Sequence, residues 1–246
     1  MEDNSLIIYG RNAVSEVFNS DKPPAINALY VQKDTKGLGA VISAAKNAGI
    51  VIKEVNAHKL DQLSEGNRHG GVAVVIAAVS YSPVEEILTA DNPFILIADG
   101  IEDPHNLGAL IRTAEAAGVD GLVIPKRRSA QVTAAVYTAS AGAAAHLKIV
   151  RVTNLADTVK TLKNHGIWVY GAEADGTAYS DIAFDKNSGI ALIIGSEGKG
   201  LSRLVREHCD FVISIPMKGK INSLNASVSG GILMFKIAER GGGRDE

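Results

Sequence analysis

Cysteine is almost missing from this chain: Cys209 is the single one among 246 residues, so no internal disulfide can form. Aromatic residues make up only 5%, which excludes a broad platform of stacked rings. Long apolar runs are missing too. The longest, such as Val72 to Val79, are strand-sized, against the roughly 20 residues that cross a bilayer. No basic amino-terminal segment precedes an apolar run in the manner of a secretory signal. Together these absences predict a cytoplasmic protein with no membrane contact. The six histidines are scattered without ligand spacing, so no metal is expected. Cys209, with His208 and Asp210 merely adjacent in sequence, reads as a buried inert thiol. A formal charge of −2 neither announces nor excludes a polyanionic partner, which must be sought in local clusters.

What is present is a 46% hydrophobic content, ample for a folded core. The first segment alternates short apolar runs ("LIIYG", "INALYVQ", "VIKEV", "GVAVVIAAV") with helical patterns, as an α/β domain does. Pro83 and Pro93 then bracket "PVEEILTADNP", predicting a linker over 81–93 between a domain at 1–80 and another at 94–246. From Phe94 the pattern restarts: strand "FILIAD", a polar loop, the small-residue helix "NLGALIRTAEAAG", then strand "GLVIP". That order implies a parallel pair. Farther on, helix "LADTVKTLKNHG" stops at Gly166, and strands "IWVYGAE", "IALII" and "FVISIP" follow. "AAVYTASAGAAAHL" suits close helix packing, and the tail "GGGRDE" is expected to fray.

"ALIIGSEGKGLS" has the outline of a strand running into a phosphate loop. Gly195 and Gly200 have P-loop spacing, but Leu201 stands where the lysine must be. Gly195, Gly198 and Gly200 also reverse the gaps of the dinucleotide pattern. ATP and NAD loops are both excluded by spacing. Ligands of parallel α/β sheets sit beyond the carboxyl ends of strands, and three such loops here are chemically dense. One holds Asp103, His105 and Asn106 before the helix that bears Arg112. The second holds Glu197. The third, "IPMKGKINSLNAS", holds Lys218, Lys220, Asn222, Ser223, Asn225 and Ser227.

"NLGALIRTAEAAG", "LIIGSEGKGLS" and "IPMKGKINSLNASVSGGILMFKI" resemble, in order and spacing, the three motifs of the SpoU (TrmH) class of SPOUT RNA 2′-O-ribose methyltransferases. The resemblance runs from Phe94 to about Arg240. "IIYGRNAVSEVF" through "RHGGVAVVIAAV" resembles the L30e-like RNA-binding domain that precedes it in the branch acting on 23S ribosomal RNA. It implies an α/β-knot catalytic domain with a deep trefoil knot, S-adenosyl-L-methionine as cofactor, a guanosine of 23S rRNA as substrate, and a homodimer whose interface completes the active site. Threaded chains are nearly absent from ordinary folds, so no hydrophobic pattern by itself implies the knot.

The resemblance places the cofactor on main chain of the three loops, here Gly195, Gly198 and Gly200, Ile215 and Leu224. Glycine turns suit this because they lack Cβ and admit an adenosine closely. It assigns the central catalytic role to Arg112. A guanidinium is always charged and has no free acceptor, so a phosphate-binding, hydroxyl-polarising role is expected, with a second group taking the proton. Glu197 is the candidate for that group or for pairing with Arg112. Asn106, at the helix start, is expected to cap the helix and reach the ribose or phosphate. Ser223 and Asn225 alternate along "NSLN" and so share a side. Lys126 to Arg128, Arg203 with Arg206, Lys218 with Lys220, and Arg11, Arg68 and His69 are the candidate RNA contacts. Two other readings stay open: a transfer-RNA 2′-O-methyltransferase, and a non-catalytic RNA-binding or assembly protein on the same fold.

Overall fold

The computed structural model describes residues 5–21 and 23–241, and the tail expected to fray lies outside them from residue 242 on. The chain packs as two compact units. One comprises residues 1–80 with 132–146, the other residues 81–131 with 147–246.

With elements numbered along the chain, the first unit runs β1 (Ser5–Tyr9), α1 (Arg11–Asn19), β2 (Ile26–Gln32), α2 (Gly39–Asn47), β3 (Ile52–Val55), α3 (Ala57–Leu63) and β4 (Val72–Ala77). Its sheet has the order β1-β4-β2-β3, with β4 antiparallel to both neighbours and β2 parallel to β3. The apolar run Val72–Ile76 forms the central strand, where Val72, Ala73, Val74 and Ile76 are fully buried. Helix α5 (Ala134–Ala139) and the short turn Ala143–Ala145 join this unit, although chain order places them in the second domain expected from sequence. The reason is specific pairing. Ser20 Oγ donates to Ala145 O at 2.6 Å, and His146 Nε2 meets Glu16 Oε2 at 2.8 Å. Gly142, at φ 95°, lets that segment lie against Glu16 and Ala13.

The second unit contains β5 (Phe94–Asp99), α4 (Pro104–Ala116), β6 (Gly121–Pro125), β7 (Lys148–Val152), α6 (Leu155–Asn164), β8 (Trp168–Ala178), β9 (Ile190–Gly195), α7 (Arg203–His208), β10 (Phe211–Ser214) and α8 (Ala226–Ala238). Its six strands form an all-parallel sheet of order β10-β8-β9-β5-β6-β7. Buried on both faces, β5 and β9 read as continuous apolar runs rather than alternating ones. Each fully buried Ile or Leu there contributes about 1.5–3 kcal/mol.

Helix α4 buries Leu107, Leu110, Ile111 and Ala114, an i, i+3, i+4, i+7 stripe. It starts at Asp103, whose side chain accepts from His105 N at 3.0 Å, with Pro104 in the first turn. Asp103 is therefore the cap expected of Asn106. It ends where Gly118 turns left-handed and Val119 N donates to Ala114 O at 2.9 Å. Helix α6 stops at Gly166 in the same way, as its sequence predicts. Strand β8 runs longer than "IWVYGAE" suggests, and its register against β10 shifts between Val212 and Ile213. Asp99 and Gly195 are register partners at the carboxyl ends of β5 and β9, so the loops after them leave side by side.

Candidate functional site

The loop after β9 closes on itself. Ser196 N donates to Gly200 O at 3.1 Å and Gly200 N returns to Ser196 O at 2.9 Å. A Cβ on Gly195 would stand 2.3 Å from the Gly200 carbonyl carbon, and Gly200 itself sits at φ 64° against Glu173. Only glycine fits either position.

Two carboxylates fix the far side of the turn. Glu173 Oε1 on β8 accepts from Leu201 N at 2.6 Å, and Asp99 Oδ2 at the end of β5 accepts from Ser202 N at 2.7 Å. Neither residue stands out in the sequence. Each acts on backbone 28 or 103 positions away, and only Asp99's place at a strand end hints at a role.

Glu197 joins the three loops. Its Oε1 accepts from Asn106 Nδ2 at 3.1 Å, from Asn225 Nδ2, and from Ala226 N at 3.3 Å. Asn225 Nδ2 also donates to Asn106 Oδ1 at 2.9 Å. The orientation of Asn225 is set by its capping of α8, since its Oδ1 accepts from Ser227 N at 2.9 Å and Val228 N at 3.3 Å. Its amide nitrogen must then point at Glu197. Among the described residues, Glu197 Oε2 carries no hydrogen bond, so one carboxylate oxygen stays available while the other is held.

Glu197 lines two cavities. The larger, about 880 Å³, is walled by Gly195, Gly198, Gly200, Ile215, Ser223, Leu224 and Asn225, with Ile194, Ile213 and Leu233 as its apolar side. The smaller, about 200 Å³, is walled by Gly100, Asp103, Asn106, Ser196 and Lys199. No lining residue of either is aromatic. A cleft of this size, with apolar walls and a few fixed polar groups, suits a nucleoside-sized ligand. Gly195 and Gly200 themselves border the larger cavity, so the closed turn forms part of its wall.

Of the ten site residues expected from sequence, nine border these cavities and Arg112 does not. Arg112 is exposed on α4 and has no ion pair among the described residues. It does not pair with Glu197. Six residues beyond Asn106, it lies about 9 Å along the helix and about a third of a turn away around it. Arg203 and Arg206, expected to contact RNA, are engaged with Glu207 and Asp175, both at 2.8 Å. Cys209 is half-buried, and burial, with Asp210 nearby, pushes its thiol up to about 11. Among the described residues no three His, Cys, Asp or Glu converge as a metal site would require, and no helix is long and apolar enough to cross a membrane.

Residues 93–235 match the family model described as the SpoU rRNA Methylase family, and residues 7–82 match that for RNA 2′-O ribose methyltransferase substrate binding. A Bacillus subtilis protein described as a TrmH family tRNA/rRNA methyltransferase is 46% identical over 238 residues, covering 94% of each chain. The crystal structure of an AdoMet-bound rRNA methyltransferase from Sinorhizobium meliloti shares the fold. It has a TM-score of 0.82 at 24% identity and covers 97% of this chain and 88% of that one. A TrmH/SpoU tRNA modifying enzyme from A. aeolicus is 27% identical with a TM-score of 0.54, and covers 63% of this chain and 79% of its own.

Proposed function

Because the chain belongs to the SpoU rRNA methylase family and is an RNA methyltransferase of that family, we propose that it methylates a ribose 2′-hydroxyl of 23S ribosomal RNA at a guanosine, with S-adenosylmethionine as donor. One observation carries the catalytic part: a carboxylate held through one oxygen by all three motif loops, on the wall shared by two cavities. The larger cavity takes the cofactor, whose sulfonium supplies an electrophilic methyl group when bound. Main chain at Gly195, Gly198 and Gly200, and the walls at Ile215 and Leu224, hold its adenosine. The smaller cavity takes the target ribose.

Within this reading the 2′-hydroxyl donates to Glu197 Oε2 and loses its proton there as attack begins. Asn106 and Asn225 keep the carboxylate still, so little reorganisation accompanies the step. The second N–H of Asn106 reaches the ribose, and Ser223 Oγ acts from the wall of the larger cavity. Arg112 binds the phosphate beside the target.

Arg112 stands outside the cavities of its own chain, and a second copy explains how it acts. Val228, Ile232 and Phe235, at i, i+4 and i+7 of α8, are 49%, 37% and 51% exposed, an apolar stripe that water does not favour. A homodimer covers that stripe and brings the partner's Arg112 to the site. The deep trefoil knot belongs to the same reading.

The ribosomal assignment is supported by length. An rRNA methyltransferase covers 97% of this chain, substrate-binding unit included, whereas the tRNA enzyme covers 63% of it. Transfer of labelled methyl from S-adenosylmethionine to ribosomal RNA tests the activity, and its absence defeats the enzyme reading in favour of a binding or assembly role. Maps of 2′-O-methyl sites from cells with and without the gene test the target. A site that changes in transfer RNA alone replaces the ribosomal substrate, and cytoplasmic location follows from either.

A further inference from the structure

In the first unit, the ends of β1 and β2 and the start of β4 meet at one edge of the sheet. Gly10 N donates to Val72 O and Gln32 N to Gly71 O. Three backbone segments converge there: the entry to α1, residues 33–38 after β2, and residues 67–71 before β4.

Arg11 lies across all three. Its Nε donates to Gly70 O at 2.9 Å. A Cβ on Gly70 would come within 3.2 Å of the arginine Cγ, and one on Gly37 within 3.2 Å of Nη1. Both glycines have positive φ, 61° and 82°, so the slot is cut by backbone that other residues rarely adopt. Beside it, Gly71 N donates to His69 Nδ1 at 3.0 Å. The proton of His69 is thereby placed on Nε2, which faces Asp61 at 3.2 Å. The turn that carries Gly70 is thus fixed from both sides.

Charge at this edge is unbalanced. Farther along the unit, His146 meets Glu16 and Lys53 lies over the Tyr30 ring. Here Arg11, Lys33, Lys36 and Arg68 are exposed, and among the described residues none has a carboxylate within ion-pair distance. The three segments carry one carboxylate, Asp34.

We infer that this edge is the phosphate-binding surface of the unit, with the Arg11 guanidinium, fixed through Nε, presenting its two Nη groups as a fork to one RNA phosphate. Lysine is a poorer substitute, because its ammonium is a point charge without the planar fork that lets Nε hold Gly70 while two Nη groups face the phosphate. Lys33, Lys36 and Arg68 neutralise neighbouring phosphates. The edge reads backbone shape rather than bases.

The inference rests on the RNA-methyltransferase reading, and the test separates the two. Filter binding of the full-length protein to a 23S ribosomal RNA transcript is followed across a salt series, beside S-adenosylmethionine affinity and methyl transfer. Arg11→Ala is expected to weaken RNA binding about 10-fold and lower the log–log salt slope by about 1, with cofactor affinity unchanged. Arg11→Lys restores the slope but not the affinity. Lys36→Ala with Arg68→Ala, both exposed and unpartnered, leaves folding alone and lowers the slope by about 2. Wild-type slopes in Arg11→Ala and in the double variant, on a protein that methylates normally, overturn the placement alone. A wild-type protein that neither binds nor methylates RNA overturns both.

Discussion

Glu197 sits where one substitution separates positioning from proton transfer. In Glu197→Gln the side-chain carbonyl can still accept from Asn106, Asn225 and Ala226, while a donor replaces the free oxygen. We expect kcat to fall about 10²–10³-fold with cofactor Kd within about 2-fold of wild type, measured by methyl-transfer kinetics and calorimetry. An unchanged kcat removes Glu197 from the chemistry. Cys209 offers a contrast. With its thiol pushed up to about 11 by burial, it stays protonated where a free thiol ionises. Its protonated form contributes stability that is full below pH 9.0 and lost as pH rises through about 11. Native protein should therefore react with a thiol reagent at pH 8 far more slowly than unfolded protein, and equal rates would place the thiol at the surface. Asn106, Glu197 and Asn225 are legible in the sequence because turn chemistry and motif spacing mark them together. The role of Asn106 is not: Asp103 takes the cap, which frees Asn106 for Glu197.

At the scale of elements, the glycine turn depends on residues that no local pattern reveals. Glu173→Ala leaves Leu201 N, on a buried residue, without its acceptor, at a cost of about 1–3 kcal/mol. We expect it to raise cofactor Kd about 10-fold, while Glu173→Gln, which keeps an acceptor, stays near wild type. Titration calorimetry well below the thermal midpoint distinguishes this from general destabilisation, which lowers the fraction of protein that binds rather than the affinity of the folded protein. The strands of the parallel sheet are legible as apolar runs because both faces are buried, and helices α4 and α6 because glycines stop them. The register shift between β8 and β10 is not, since nothing in "FVIS" marks where its pairing with "WVYGAEADGTA" breaks. Nor is the placement of α5, whose alanine-rich run predicts close packing but not the element it packs against.

For the whole molecule, the apolar stripe of α8 gives a direct expectation. Phe235→Glu with Val228→Glu puts charge on exposed positions, so each chain keeps its core. We expect a monomer by sedimentation and a loss of methyl transfer exceeding 10²-fold, because the site then lacks its second copy. A monomeric variant with full activity removes the partner's Arg112 from the mechanism. The stripe itself is readable in "ASVSGGILMFKI" only as a helix apolar on all sides. Which side stays uncovered depends on how α4 packs, with Gly230 admitting Leu110.

The union of residues 132–146 with the first 80 has a consequence for how the protein is made. A nascent chain ending at residue 80 holds the whole four-stranded sheet but lacks α5, and Ala145 and His146, which bond Ser20 and Glu16, are still to come. At roughly 5–20 residues per second, the ribosome needs about 3–13 s more to deliver them. During that interval β5, α4 and β6 emerge, before the earlier sheet is complete. Completion of the amino-terminal unit is thus timed by the synthesis of its neighbour, and a gene cut at the apparent linker yields a fragment that lacks α5.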